Sequence, residues 1–340
     1  MRTRWVGKGR GGSMLGPLIV CYLFLGGTGA GACLVLAVLG MLAPRELVAV
    51  QGAGGRGASR GPAGAHAVLR PPAPYRRLLA PGYAAALVAL VLGMVCLLAD
   101  VGRADRLLLL LTSPAFSHVA VGAWSLAVCA ALAVLAGLAW AGLAWRWRFA
   151  AVRVLQVALA LAALVVMLYT GLLLQSLNAV PLWATPWLPA LFVLSSLSCG
   201  MALVLAAAQL TGAAFAFVTV LGRLAAVDAA VVVLEALVLA AFVGTALAGI
   251  GGNFLVDRTA EALAASAEAL VAGEAAWLFW GGFVLAGLAV PFALDVALAR
   301  LRRPRPALAL VAAACVLAGG LAMRFCVVEA GMHPLLAMAS

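Results

Sequence analysis

Along this chain, long runs without a charged residue alternate with short stretches crowded with Arg, Gly and Pro. Residues 14–44 and 114–145 contain no Asp, Glu, Lys or Arg. A membrane-crossing helix needs about 20 apolar residues, and a backbone in lipid must satisfy its own hydrogen bonds. The pattern predicts helices over 14–43, 82–101, 116–145, 152–178, 187–213, 224–250, 275–299 and 306–330. The fold class is therefore all-α integral membrane, with eight spans. The faintest boundary lies between the fifth and sixth, because 186–222 carries no formal charge; Thr211-Gly212 and Gly222-Arg223 are the candidate breaks.

Composition hardens this picture. Hydrophobic residues make up 66% of the chain and charged residues 10%, where a soluble domain runs near 45–50% and about 25%. A water-soluble fold has nowhere to hide so much apolar surface. The net charge of +11 does not point to nucleic acid, since nearly all the Lys and Arg lie between spans, where they mark topology and meet lipid headgroups. The side holding the N-terminus carries seven of them and the opposite side fourteen, with Arg324 inside the last span. The richer side is expected to face the cytoplasm, which puts both termini outside, although the four cations ahead of the first span pull the other way. The first apolar run is too long for a signal-peptide core and is expected to stay as a helix. The connection 44–81, rich in Gly, Ala, Arg and Pro, reads as a flexible cytoplasmic loop. The loop 251–274, with its Ala, Leu and Glu, reads as a short surface helix.

Two cofactor classes lose support from residue counts. None of the seven cysteines forms a CxxC pair, and each sits in an apolar run, so this chain is expected to hold no metal and no iron–sulfur cluster. Of the three histidines, His66 lies in the 44–81 loop and His333 beyond the last predicted span. A bis-His haem in the membrane needs two on facing helices, so no haem is expected.

Several stretches resemble, in order, the NrfD/polysulfide reductase membrane subunits. They begin with Tyr22-Leu23-Phe24-Leu25-Gly26-Gly27-Thr28-Gly29-Ala30-Gly31-Ala32 and continue through Leu97-Leu98-Ala99-Asp100-Val101-Gly102-Arg103 and Ser113-Pro114. Leu168-Tyr169-Thr170-Gly171, Pro181-Leu182-Trp183 and Leu188-Pro189-Ala190-Leu191-Phe192 follow. Gly319-Gly320-Leu321-Ala322-Met323-Arg324-Phe325 and Val327-Val328-Glu329-Ala330-Gly331 close the series. Where that family often has Ser-Trp-Gly near the start of the third helix, this chain reads Phe116-Ser117-His118-Val119. The resemblance implies a haem-free subunit of eight helices in two four-helix bundles, 14–178 with a quinone pocket and 187–330. It also implies a quinone substrate (menaquinone or ubiquinone), a ferredoxin-like four-cluster iron–sulfur partner and, through it, a molybdopterin-type catalytic subunit.

Ionisable and polar groups inside spans are costly and default to functional candidates. Asp100 ends the second span and His118 begins the third; Tyr169, Thr170, Gln175 and Asn178 occupy the last turns of the fourth, and Tyr22 the outer half of the first. All fall on the outer side, consistent with one polar pocket. Quinol oxidation releases two protons, so a base must stand within reach. Asp100 or His118 is the candidate proton acceptor, with Tyr22, Tyr169, Thr170 or Gln175 holding a quinone oxygen. The bland alternatives are an Asp100 pair with Arg103 or Arg106 and an interfacial Tyr169. The glycine run contains a GxxxG at Gly27 and Gly31, which serves close helix packing and leaves room for a flat ring.

In the second half, Asp228 and Glu235 stand seven residues apart, nearly on one helical stripe. With Arg324 they form a candidate proton path from the cytoplasm; the structural alternative pairs Asp228 or Asp295 with Arg223 or Arg300. The expected function is a quinol/quinone-binding electron-transfer anchor with possible proton translocation. A transporter or channel is the rival reading, and a bare scaffold the third. The crowding of polar groups at one interface favours the anchor over a transporter's midplane site.

Overall fold

The computed structural model describes residues 16–43, 48–51, 66–69, 72–101, 118–143, 148–176, 180–250, 257–274, 276–301, 303 and 305–337. Its helices are α1 (Pro17–Met41), α2 (Ala73–Val101), α3 (His118–Ala141), α4 (Phe149–Gln175), α5 (Trp187–Leu210), α6 (Val218–Leu247), α7 (Asp257–Ala272), α8 (Leu278–Arg300) and α9 (Pro306–Ala337). All but α7 are long and apolar enough to cross a membrane, which gives eight candidate spans among the described residues. Two short strands, β1 (Val48–Gln51) and β2 (His66–Leu69), pair antiparallel in the connection between α1 and α2. That connection is also shorter than expected. Residues 73–81 belong to α2, whose first turns carry the exposed Arg76 and Arg77 and accommodate Pro81 within the helix.

The boundary between the fifth and sixth spans falls at Thr211-Gly212. Gly212 has φ +68, a left-handed conformation that glycine adopts without a Cβ clash. A 3₁₀ turn at Ala213–Phe215 follows, and α6 starts at Val218. The other candidate, Gly222-Arg223, lies inside α6. The surface helix expected in 251–274 is α7, which buries Leu263, Ser266, Ala267 and Leu270 on one stripe and exposes Glu261 and Glu268. α8 is wound as a π-helix over Leu278–Ala289 and returns to α at Val290.

α1 and α5 are the most enclosed of the eight spans. Among the first four, α1 packs on α2 and α4, and α3 packs on α2 and α4. Among the last four, α5 packs on α6 and α9, and α8 packs on α6 and α9. The two sets meet chiefly through α1 against α5. Small residues let those two helices approach at backbone distance. A Cβ on Gly31 would stand on Ser196 O, and one on Gly200 would stand on the Gly31 carbonyl carbon.

Contacts tie the helix ends into two opposite levels. At one end, Arg153 Nη2 donates to Ala43 O (3.4 Å) and Tyr75 sets its ring edge-on to Phe217 with centroids 4.8 Å apart. At the other, Asp100 Oδ1 stands 3.1 Å from the position of a Cβ on Gly16, and Trp183 Nε1 donates to Val327 O (3.0 Å). The ends of α2 and α4 and the starts of α1, α3 and α5 therefore share one level, the one predicted to be outer.

Candidate functional site

At the level predicted to be outer lies part of the expected set. Tyr22 of α1 and Tyr169 of α4 are both buried, and their phenols lie within electrostatic reach of each other. The Tyr169 ring covers Gly122 of α3; any Cβ there would collide with it. His118 is the first residue of α3, one turn before Gly122, and its side chain lies outside the described residues, as does Asn178. Asp100 is exposed at the end of α2, beside the first turn of α1. It stands roughly 9 Å further out along α1 than Tyr22, given six residues at 1.5 Å each. Arg103 and Arg106, its alternative partners, lie outside the described residues.

Two expectations change here. The Thr170 hydroxyl donates to Met167 O (2.7 Å) within its own helix, so it presents only lone pairs to a ligand. Gln175 is half-buried at the last residue of α4. The glycine run leaves no room for a ring: a Cβ on Gly27 would meet Ser196 Oγ and Arg324 Nη2, and one on Gly29 would meet Leu90. The missing side chains are spent on packing.

Directly inward of this cluster lies Arg324, wholly enclosed. Its Nε donates to Leu23 O (3.3 Å), Nη1 to Gly320 O (2.8 Å) and Ser195 Oγ (3.3 Å), and Nη2 to Ser196 Oγ (2.8 Å). Its guanidinium also faces the rings of Phe24 and Phe192, with centroids at 5.6 and 5.3 Å. A buried cation needs such partners on every side. Arg324 thereby joins α9 to both α1 and α5.

A series of carboxylates runs on from Arg324. Glu235 of α6 feels its charge and faces the Ser195 hydroxyl that Arg324 also holds. Asp228, two turns along the same face, faces Ser198 and lies within reach of Glu235 and of Asp295 on α8. Glu235, Asp228 and Asp295 are 3%, 1% and 1% exposed, so all three are closed off by the helices around them. Neither Asp228 oxygen has a hydrogen-bond partner, and Asp295 Oδ2 has none. The pairing of Asp228 or Asp295 with Arg223 or Arg300 is not formed; both arginines are exposed. Ionisable groups enclosed in this way inside spans are costly to keep and default to functional candidates.

Sequence reading missed the residues that join these groups. Ser195, Ser196 and Ser198 are buried on α5 and face Arg324, Glu235 and Asp228. Their signal was present as three hydroxyls in four residues of an uncharged span. Gln156 of α4 was also missed; it is buried against Gly40 and Trp140, with neither amide atom hydrogen-bonded. Among the described residues no group of three His, Cys, Asp or Glu comes together as a metal site.

The profile of the family described as "Polysulphide reductase, NrfD" matches residues 62–335. The chain belongs to the NrfD family. The matched region opens ahead of α2 and runs into α9, so it includes every carboxylate of the buried series and Arg324. A 164-residue part of the sequence, 48% of it, is also 36% identical to the C subunit of polysulfide reductase from Wolinella succinogenes. The aligned part spans about half of that curated relative, 49% of its length. The NrfD family consists of membrane subunits of oxidoreductase complexes, and eight apolar helices make this member a multi-pass membrane protein.

Proposed function

We propose that this chain is the quinone-reactive membrane anchor of a respiratory oxidoreductase complex. It passes electrons between menaquinone or ubiquinone and a ferredoxin-like four-cluster iron–sulfur subunit, which serves a molybdopterin-type catalytic subunit. It sits in a bacterial cytoplasmic membrane with both termini outside. Its spans form two four-helix bundles: the first holds the quinone pocket, and the second the buried carboxylates.

The burial of Tyr22 and Tyr169 at the level of Asp100 and the start of α3, where the Tyr169 ring lies over Gly122, carries this reading. The tyrosine phenols and the Gln175 amide donate to quinone oxygens, and Thr170 offers lone pairs to a quinol hydroxyl. A quinol gives up two electrons and two hydroxyl protons as it becomes quinone. The electrons leave to the iron–sulfur partner docked on the outer face, and the protons leave through Asp100 or His118. Asp100 lies further out than Tyr22, so it takes its proton through water at the mouth of the pocket.

A proton route through the second bundle fits the same scheme. Asp228 and Glu235 receive protons from the cytoplasmic side. Arg324, fixed between Glu235 and α1, links them electrostatically to the redox site. Titration of the purified protein with a quinone analogue such as an alkyl-hydroxyquinoline N-oxide, followed by tryptophan fluorescence, tests the anchor. Saturable binding weakened about tenfold in Tyr169→Phe is expected, the size of one lost hydrogen bond. Binding that is absent, or equal in Tyr22→Phe, Tyr169→Phe and the unmodified protein, would refute it.

A further inference from the structure

A second feature lies at the opposite level of the membrane from the tyrosines. A crevice of about 660 Å³ opens where the two sets of helices meet, lined by α1, α2, α5 and α6. Its walls include Leu34, Leu39, Leu78 and Met201, and its open side is framed by the exposed Leu42 and Val227. The volume suits a lipophilic ligand, and an opening framed by exposed apolar side chains faces the hydrocarbon.

Only two lining side chains carry a polar group, Tyr75 and Arg223. Arg223 lies in the second turn of α6, and among the described residues it makes no hydrogen bond or ion pair. The exposed Arg76 and Arg77 stand at the same end. A cation without a partner, set above an apolar slot between spans, matches the geometry that holds anionic lipid headgroups. Quinone chemistry finds no support here, because no carboxylate, histidine or amide lines the crevice to exchange a proton.

We infer that this crevice is a binding site for an anionic phospholipid, with acyl chain between α1 and α6 and phosphate on Arg223. The lipid fills the joint between the two sets of helices.

The test is native mass spectrometry of the full-length protein released from nanodiscs containing equal parts of phosphatidylglycerol and phosphatidylcholine with identical acyl tails. Phosphatidylglycerol should be retained in preference. Arg223→Gln should cut that preference about tenfold, the scale of a charge-assisted phosphate contact. Arg223→Lys should keep most of it, and Arg303→Gln, a cation at the same level but outside the crevice, should leave it unchanged. Val227→Trp, which adds bulk at an exposed rim position and spares the core, should reduce retention of both lipids. An unchanged preference in Arg223→Gln, an equal loss in Arg303→Gln, or a quinone retained in place of phospholipid would each overturn the assignment.

Discussion

Arg324 Nη2 donates to Ser196 Oγ at 2.8 Å, and the space that allows it is a missing side chain on Gly27. The residue on α9, the residue on α5 and the glycine on α1 form a three-helix contact at the centre of the protein. Each of the three depends on the other two.

Gly27→Ala tests that contact from the side of α1. The new Cβ meets Ser196 Oγ and comes within 3.0 Å of Arg324 Nη2, neither of which has free volume to yield. A destabilisation of about 1–3 kcal/mol is expected from overpacking. Thermal unfolding in detergent should show a lowered midpoint. Gly244→Ala, where nothing stands within 4 Å of the new atom, should leave it near the original value.

Arg324→Lys removes the planar fork. One ammonium cannot reach Leu23 O, Gly320 O, Ser195 and Ser196 together, and each buried group left without its partner costs about 1–3 kcal/mol. Quinol-dependent electron transfer should drop at least tenfold along with a loss of thermal stability. A variant with ordinary turnover and stability would show that the guanidinium geometry is dispensable.

Asp100→Asn tests the proposed exit for quinol protons. The side chain is exposed at the end of α2, so its replacement should not disturb folding. Turnover with a reduced quinone should fall about tenfold or more, in the range of a lost acid–base group, while affinity for a quinone analogue stays within twofold. Unchanged turnover leaves the role to His118.

Glu235→Gln separates redox chemistry from proton movement. The amide keeps the shape and still faces Ser195, but it cannot carry a proton. Quinol oxidation in proteoliposomes should continue, and the number of protons moved per electron should fall. If both quantities keep their original values, Asp228 and Glu235 are structural.

Much of the fold could be read along the chain because lipid imposes so simple a rule. A run of apolar residues long enough to cross must be helical, but the uncharged stretch between the fifth and sixth spans left Gly212 and Gly222 as equal candidates for the turn. The start of α2 was hidden for the opposite reason. Arg76, Arg77 and Pro81 read as loop, yet the helix extends past the apolar layer, where exposed arginines are at home and a proline can be tolerated in the chain. Tyr22 and Tyr169 could be assigned to one level because alternation of spans fixes which ends lie together, but no local pattern pairs them. The serines on α5 were not. A hydroxyl in an apolar helix is ambiguous until the helix opposite is known, since Ser side chains also bond their own backbone. The burial of Arg324 by α1 depended on contacts across some 300 residues, which no local pattern contains.

The seat of Gly31 on Gly200 bears on how such a protein can work at all. With main chain resting on main chain, neither set of helices can rock against the other without prying the joint open, the motion that an alternating-access carrier requires. On the proposed function, charge therefore moves by the turning of side chains within the frame that this contact holds.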